Sequence, residues 1–138
     1  GIHMLAPPTA GATYIQGYAP AIDFLDQAKV VKTNQTFCGQ TRCYYCVAVI
    51  DEFSPQESDA GHVLKYYAPG IGLVHVEPVD DPAGEVLDRT SQTRLDSTQL
   101  NAARNAVLNL DSRAYTYAAQ VWQGTARAVV TPDWPQAR

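Results

Sequence analysis

The sequence predicts an α+β protein, mainly β: an antiparallel curved sheet or half-barrel of about five to seven strands, packed by one C-terminal amphipathic helix. Three observations predict it. From Thr13 to Glu77, aromatic and β-branched residues cluster in short runs, about ten residues apart. Turn residues separate these runs. Beyond Leu95 the apolar residues recur in steps of three and four, the period of a helix face.

Residues 1–11 are rich in Pro and Gly and read as a leader, with the sheet over 12–95 of a single domain spanning 1–138. TYIQGY begins the sheet, followed by QAKVVKTNQTF, CYYCVAVIDEF, HVLKYYA and GLVHVE. Tyr18-Ala-Pro, Cys38-Gly-Gln, Ser54-Pro, Asp59-Ala-Gly and Pro69-Gly-Ile-Gly72 mark the turns. Spacing this even predicts a meander, with EVLDRTSQTRL as a sixth strand. Residues 44 to 50 are apolar on both faces, so something must also cover the second face.

The helix is read over 96–122. Leu100, Ala103, Val107, Leu110 and Ala114 share one face. Asp96 is its N-cap, and Gln99 three residues on completes a capping box. Residues 123–138 form a tail or an added edge strand.

A chain of 138 residues is the length of one domain, and 46% hydrophobic content supplies a core. Net charge is −4, without a Lys/Arg cluster, which argues against nucleic acid as a partner. No apolar run is long enough for a transmembrane segment. A secretory signal is absent, as it would be from a mature extracytoplasmic chain.

KYYAPGIGLVHVE, residues 65 to 77, resembles the K-Y-Y-A-P-G-V-G-L-V segment of a family of uncharacterised bacterial secreted proteins and lipoproteins. YAPAIDFLDQAKVV and CGQTRCYYCVAVIDEFSP resemble further segments of that family, and the helix resembles its ending. GIHMLAPPTAG resembles the segment before its first strand, so GIHM is read as native sequence. The resemblance covers residues 1 to about 117 and implies a bacterial, extracytoplasmic protein: secreted, periplasmic or at the cell surface. Longer members carry another β-rich stretch upstream, which implies that this chain is a C-terminal portion or a shortened member.

All three cysteines fall in CGQTRCYYC, residues 38 to 46. C-x4-C-x2-C is the spacing of a plant-type [2Fe–2S] loop, but such a cluster needs a fourth ligand. His3, His62 or His75 would have to complete a Cys₃His zinc site. The alternative is a hairpin staple. If Gly39–Arg42 turns the chain, Cys38 and Cys43 flank it at disulfide reach, and two cysteines at this spacing fit the family. So short a loop stabilises by about 1–2 kcal/mol, and a disulfide places the protein in an oxidising compartment. Cys46 is then expected to be a buried strand residue, on the opposite face from Cys43.

Asp26, Glu52, Lys65 and Glu77 match charged family positions and are read as network candidates, either ion-paired between strands or solvated. Tyr66 and Tyr67 point to opposite faces, as packing residues or as a stacking surface for a ligand. In EPVDDPAGE, the carboxylates of Glu77, Asp80, Asp81 and Glu85 suit Ca²⁺ but lack EF-hand spacing. Pro69–Gly72 reads as a hairpin turn rather than an anion loop, and Asn34-Gln35-Thr36 fits the N-glycosylation pattern. No Ser-His-Asp, His-Glu-x-x-His or Gly-x-Gly-x-x-Gly arrangement is present.

These readings favour a non-catalytic extracytoplasmic domain, without a cofactor, that binds a small apolar ligand or a protein partner through a sheet face. One alternative is self-assembly as a subunit of a surface or extracellular assembly, pairing through edge strands or the APPTAG leader. Others are a metal-binding protein using Cys38, Cys43 and Cys46, and a hydrolase using Asp26 or Glu52.

Overall fold

The computed structural model describes residues 2–57, 59, 61–80, 84 and 86–129. It is α+β and mainly β: an open six-stranded antiparallel sheet and one long C-terminal helix. The chain divides into two compact units, Gly1–Ser91 and Gln92–Arg138.

The first unit is a meander. Strands β1 (Thr13–Ala19), β2 (Phe24–Cys38), β3 (Cys43–Phe53), β4 (His62–Ala68), β5 (Gly72–Val79) and β6 (Leu87–Asp88) pair in chain order. The sheet does not close, and β1 and β6 are its edges.

Cross-strand partners share a face. The pairs Tyr14–Ala28, Val30–Ile50 and Ala48–Tyr67 gather one buried cluster on the first face. Tyr44, Val47, Ala68 and Val74 form another on the second face, with Phe37, Tyr66 and Ile71 against it.

The leader supplies cover for the first face. Leu5 and Ala12 pack on its cluster, where Ala28, Val30 and Ile50 are wholly buried. A turn carries the chain back: the Ala12 amide donates to the Thr9 carbonyl, and Gly11 takes φ of +87°. Glycine suits that left-handed angle because it has no Cβ. The Ile2 amide then donates to the Ile15 carbonyl at 3.2 Å, so the leader lies back along β1. Ala28 and Ala48 are short side chains on the covered face, which lets a second layer of chain approach.

Strands β2 and β3 are not regular. Three register shifts interrupt their pairing between Val30 and Phe37. Two of these coincide with positive φ, +55° at Asn34 and +56° at Cys46. Each such bulge inserts an unpaired residue and breaks the alternation of faces. The expectation for Cys46 is corrected here: the bulge turns it out, and it is an exposed free thiol. Cys38 and Cys43 sit opposite one another at the hairpin and form the expected disulfide.

In the second unit, helix α1 spans Ser97–Tyr117 and a short α2 spans Ala119–Trp122, divided at Ala118. The capping box forms: the Gln99 amide donates to Asp96 Oδ1 at 2.8 Å, and the Asp96 amide donates to Gln99 Oε1 at 3.0 Å. Residues 123–129 turn back along α1 without forming a strand. The Tyr115 hydroxyl donates to the Thr125 carbonyl at 2.9 Å, and Arg127 stacks over the Tyr115 ring at 4.5 Å. The rest of the expected tail or edge strand, 130–138, lies outside the described residues.

Cysteine chemistry tests the hairpin. Alkylation of the native protein followed by intact mass should add one label before reduction, at Cys46, and three after. Replacing Cys38 and Cys43 by Ser should lower the unfolding free energy by about 1–2 kcal/mol, read from urea midpoints.

Candidate functional site

Sequence reasoning singled out six residues besides the cysteines, and the sheet distributes them over two faces. Glu52, Lys65 and Tyr67 come together on the first face. Tyr66 and Glu77 come together on the second. Asp26 joins neither group and pairs in register with Gly17 at the β1 bulge.

The first-face group is built by register. Glu52 on β3 pairs with Val63, Lys65 on β4 pairs with Ile50, and the two charged side chains meet between the strands. Lys65 Nζ donates to Glu52 Oε2 at 2.5 Å. Their side chains are 28% and 12% exposed, so water screens the pair only in part. Gln16 enters from β1 at the bulge that separates Ile15 from Gly17. Its Nε2 donates to Glu52 Oε1 and to the His3 carbonyl, both at 2.9 Å. A side-chain amide nitrogen carries two N–H groups, so one can serve each acceptor.

His3 is the leader's point of attachment. The Tyr14 hydroxyl donates to its carbonyl at 3.4 Å. Its Nε2 lies 3.4 Å from the Tyr67 hydroxyl, and the His3 and Tyr67 rings meet edge-on with centroids 5.7 Å apart. Burial, then the Glu52 charge, raises the Tyr14 pKa above its ordinary value, against a smaller opposing hydrogen bond from Gln16. Burial is also the largest cause at Tyr67, followed by the charges of Glu52 and Tyr14, and its pKa is pushed well up. Both phenols therefore stay neutral.

This arrangement can hold a short segment of chain. It offers an amide and a hydroxyl to a backbone carbonyl, an aromatic ring to a side-chain ring, and an apolar floor to a Leu. Both oxygens of Glu52 are engaged, which leaves that carboxylate poorly placed as a general base. Gln16 was missed in sequence reasoning, and His3 was weighed only as a zinc ligand. The one clue to Gln16 was a lone polar residue in the apolar run TYIQGY.

On the second face the Tyr66 hydroxyl donates to Glu77 Oε2 at 2.8 Å. Phe37, Tyr66 and His75 form a three-ring cluster with centroids 4.7–5.1 Å apart. His75 Nδ1 lies 2.7 Å from Asp88 Oδ1, joining β5 to β6. Arg89 donates through Nε and Nη2 to the Leu73 carbonyl, at 3.0 and 2.7 Å, and so ties the chain after β6 to β5. Tyr66 is thus a packing residue with its hydroxyl satisfied at the rim. An open groove of about 810 Å³ lies near the β3–β4 connection, lined by Lys29, Asp51, Phe53 and His62 among others. His62 and Asp51 pair across it.

The disulfide takes up two of the three sulfurs in the C-x4-C-x2-C loop. Among the described residues, no three His, Cys, Asp or Glu side chains gather as metal ligands. Asp81 and Glu85 of the calcium reading lie outside the described residues, and Glu77 is bound to Tyr66. No helix among the described residues is long and apolar enough to cross a membrane.

Tyr66 gives a pH test of this geometry. Burial first, then the hydrogen bond to Glu77 and the Glu77 charge, push its pKa from 10.0 up to about 12. Folding thus favours the neutral phenol. The stability it contributes is complete below pH 10 and is lost as pH rises through about 12. An NMR titration of the Tyr66 ring carbon should show that high midpoint. Glu77→Gln should bring it down toward the ordinary value, without reaching it, because burial remains.

Comparisons of this chain with family models, with curated proteins and with solved structures found no match.

Proposed function

We propose that this protein is a non-catalytic extracytoplasmic binding domain that takes a short protein segment on the sheet face bearing Tyr14, Gln16, Glu52, Lys65 and Tyr67. One observation carries the reading: that face holds a short segment of its own chain, with the His3 carbonyl captured by Gln16 and Tyr14, its ring on Tyr67 and Leu5 on the apolar floor. Backbone capture supplies affinity, while the ring and the Leu site supply selectivity. The extracytoplasmic part of the proposal rests on the Cys38–Cys43 disulfide. Membership of the secreted family resembled by residues 65 to 77 belongs to the same proposal.

The test uses a dye-labelled peptide, Gly-Ile-His-Met-Leu-Ala, titrated into the full chain and into its Leu5→Ala variant by fluorescence anisotropy. The chain's own leader competes with the peptide. Loosening the leader by Leu5→Ala should tighten peptide binding about tenfold, the equivalent of about 1.4 kcal/mol. A peptide with Ala in place of its Leu should bind the variant more weakly. Absence of saturable binding to either protein would overturn the reading.

A further inference from the structure

We infer that the Thr9–Ala10 peptide bond is a processing site, and that its cleavage by an endopeptidase of small-residue specificity releases the leader and opens the sheet face. This inference rests on the binding face proposed above and names its regulation.

The seat is filled by the chain itself, so another segment enters only when the leader leaves. What can leave is bounded. The Gly11 amide donates to the Val30 carbonyl at 2.8 Å, and the Val30 amide donates to the Ala12 carbonyl at 2.9 Å. Gly11 and Ala12 are therefore stitched to β2, and release must occur on the leader side of them. Thr9 and Ala10 are exposed there. Among the described residues, one backbone hydrogen bond spans their peptide bond, from the Ala12 amide to the Thr9 carbonyl at 3.1 Å. Exposed tips of small residues are where nicking concentrates. The neighbouring bonds are poorer targets. The amides of Pro7 and Pro8 lack an N–H, and the Gly11 amide is held by Val30.

The step is a hydrolysis. Water adds across the Thr9–Ala10 bond. Thr9 takes the oxygen as a carboxylate, and Ala10 takes both protons as an ammonium.

Loss of the tether then decides the outcome. While joined, the leader returns to its seat at an effective concentration of about a millimolar. Once cut, it holds by its own contacts alone. Gln16 reaches the His3 carbonyl at 2.9 Å, the Tyr14 hydroxyl reaches it at 3.4 Å, and the Ile2 amide reaches the Ile15 carbonyl at 3.2 Å. The Tyr14 bond is longer than an ordinary O–H···O bond. The Tyr67 ring contact and Leu5 on the floor complete the set, while residues 2–4, 6 and 7 are exposed. A separate segment so held must also lose its translational freedom and be ordered. It departs in dilute solution, and the floor around Val30 and Ile50, wholly buried beforehand, becomes accessible.

The experiment treats the folded full chain with elastase, whose specificity pocket accepts small side chains. Intact mass and size exclusion follow the reaction. The first cut should give a new N-terminus at Ala10, with residues 1–9 eluting apart from the body. The dye-labelled Gly-Ile-His-Met-Leu-Ala peptide should then bind the cut chain about tenfold more tightly than the uncut chain. Ala10→Pro is the control. Thr9–Ala12 is a four-residue turn with Gly11 third at φ of +87°, the type II form, in which proline is favoured in second place. That variant keeps its turn, should resist the cut, and should bind peptide as the untreated chain does. A first cut anywhere beyond Ala12 would overturn the inference. So would a cut chain that retains residues 1–9 or binds peptide no more tightly. If Leu5→Ala tightens peptide binding and the cut does not, the proposed function stands and only the processing site falls.

Discussion

One side-chain amide joins the layers of the first unit. Gln16 Nε2 donates to the leader at the His3 carbonyl and to the sheet at Glu52 Oε1. Glu52 in turn receives Lys65. Leader, edge strand and central strands are thus linked through three residues. The linkage is cooperative in a plain sense. Removing Gln16 leaves a partly buried carboxylate short of a donor and leaves the His3 carbonyl with only the longer bond from the Tyr14 hydroxyl. Leaving a buried acceptor unsatisfied costs about 1–3 kcal/mol, more than the net gain from forming an average hydrogen bond.

Apolar cover and polar attachment work on the same face, with different consequences. Leu5 and Ala12 shield the cluster around Val30 and Ile50, and that burial stabilises without directing. The hydrogen bonds to His3 and the edge-on contact with Tyr67 give the leader its register. The Glu52–Lys65 pair lies between these regimes. Fully buried pairs lose about 3–5 kcal/mol when one partner is removed. Here the Lys65 side chain keeps 28% of its exposure, so the loss would be smaller.

The sheet and helix were readable because their signals are local. Alternating runs, turn residues and the Asp96–Gln99 capping box each act over a few residues, and the first five strands and the cap formed where expected, whereas of EVLDRTSQTRL only Leu87–Asp88 is a strand among the described residues. The hairpin disulfide followed for the same reason. Glu52, Lys65 and Tyr67 were singled out, but their grouping depends on strand register, which no single run encodes. Gln16 escaped attention, and His3 was weighed only as a zinc ligand, because a polar residue in a strand and a residue in a Pro-rich leader acquire meaning only when folded together. Cys46 was misplaced because a regular strand was assumed, whereas a bulge with φ of +56° turns it outward. The apolar character of both strand faces pointed to a missing cover, and for the first face that cover is the leader itself.

The seating of the leader on the sheet is the central claim, and a NOESY spectrum of the dilute full chain tests it most directly. The account predicts cross-peaks from the His3 ring to the Tyr67 ring, and from the Leu5 methyls to the cluster of Tyr14, Val30 and Ile50. A leader with random-coil shifts and no such cross-peaks, on an otherwise folded sheet, would contradict it.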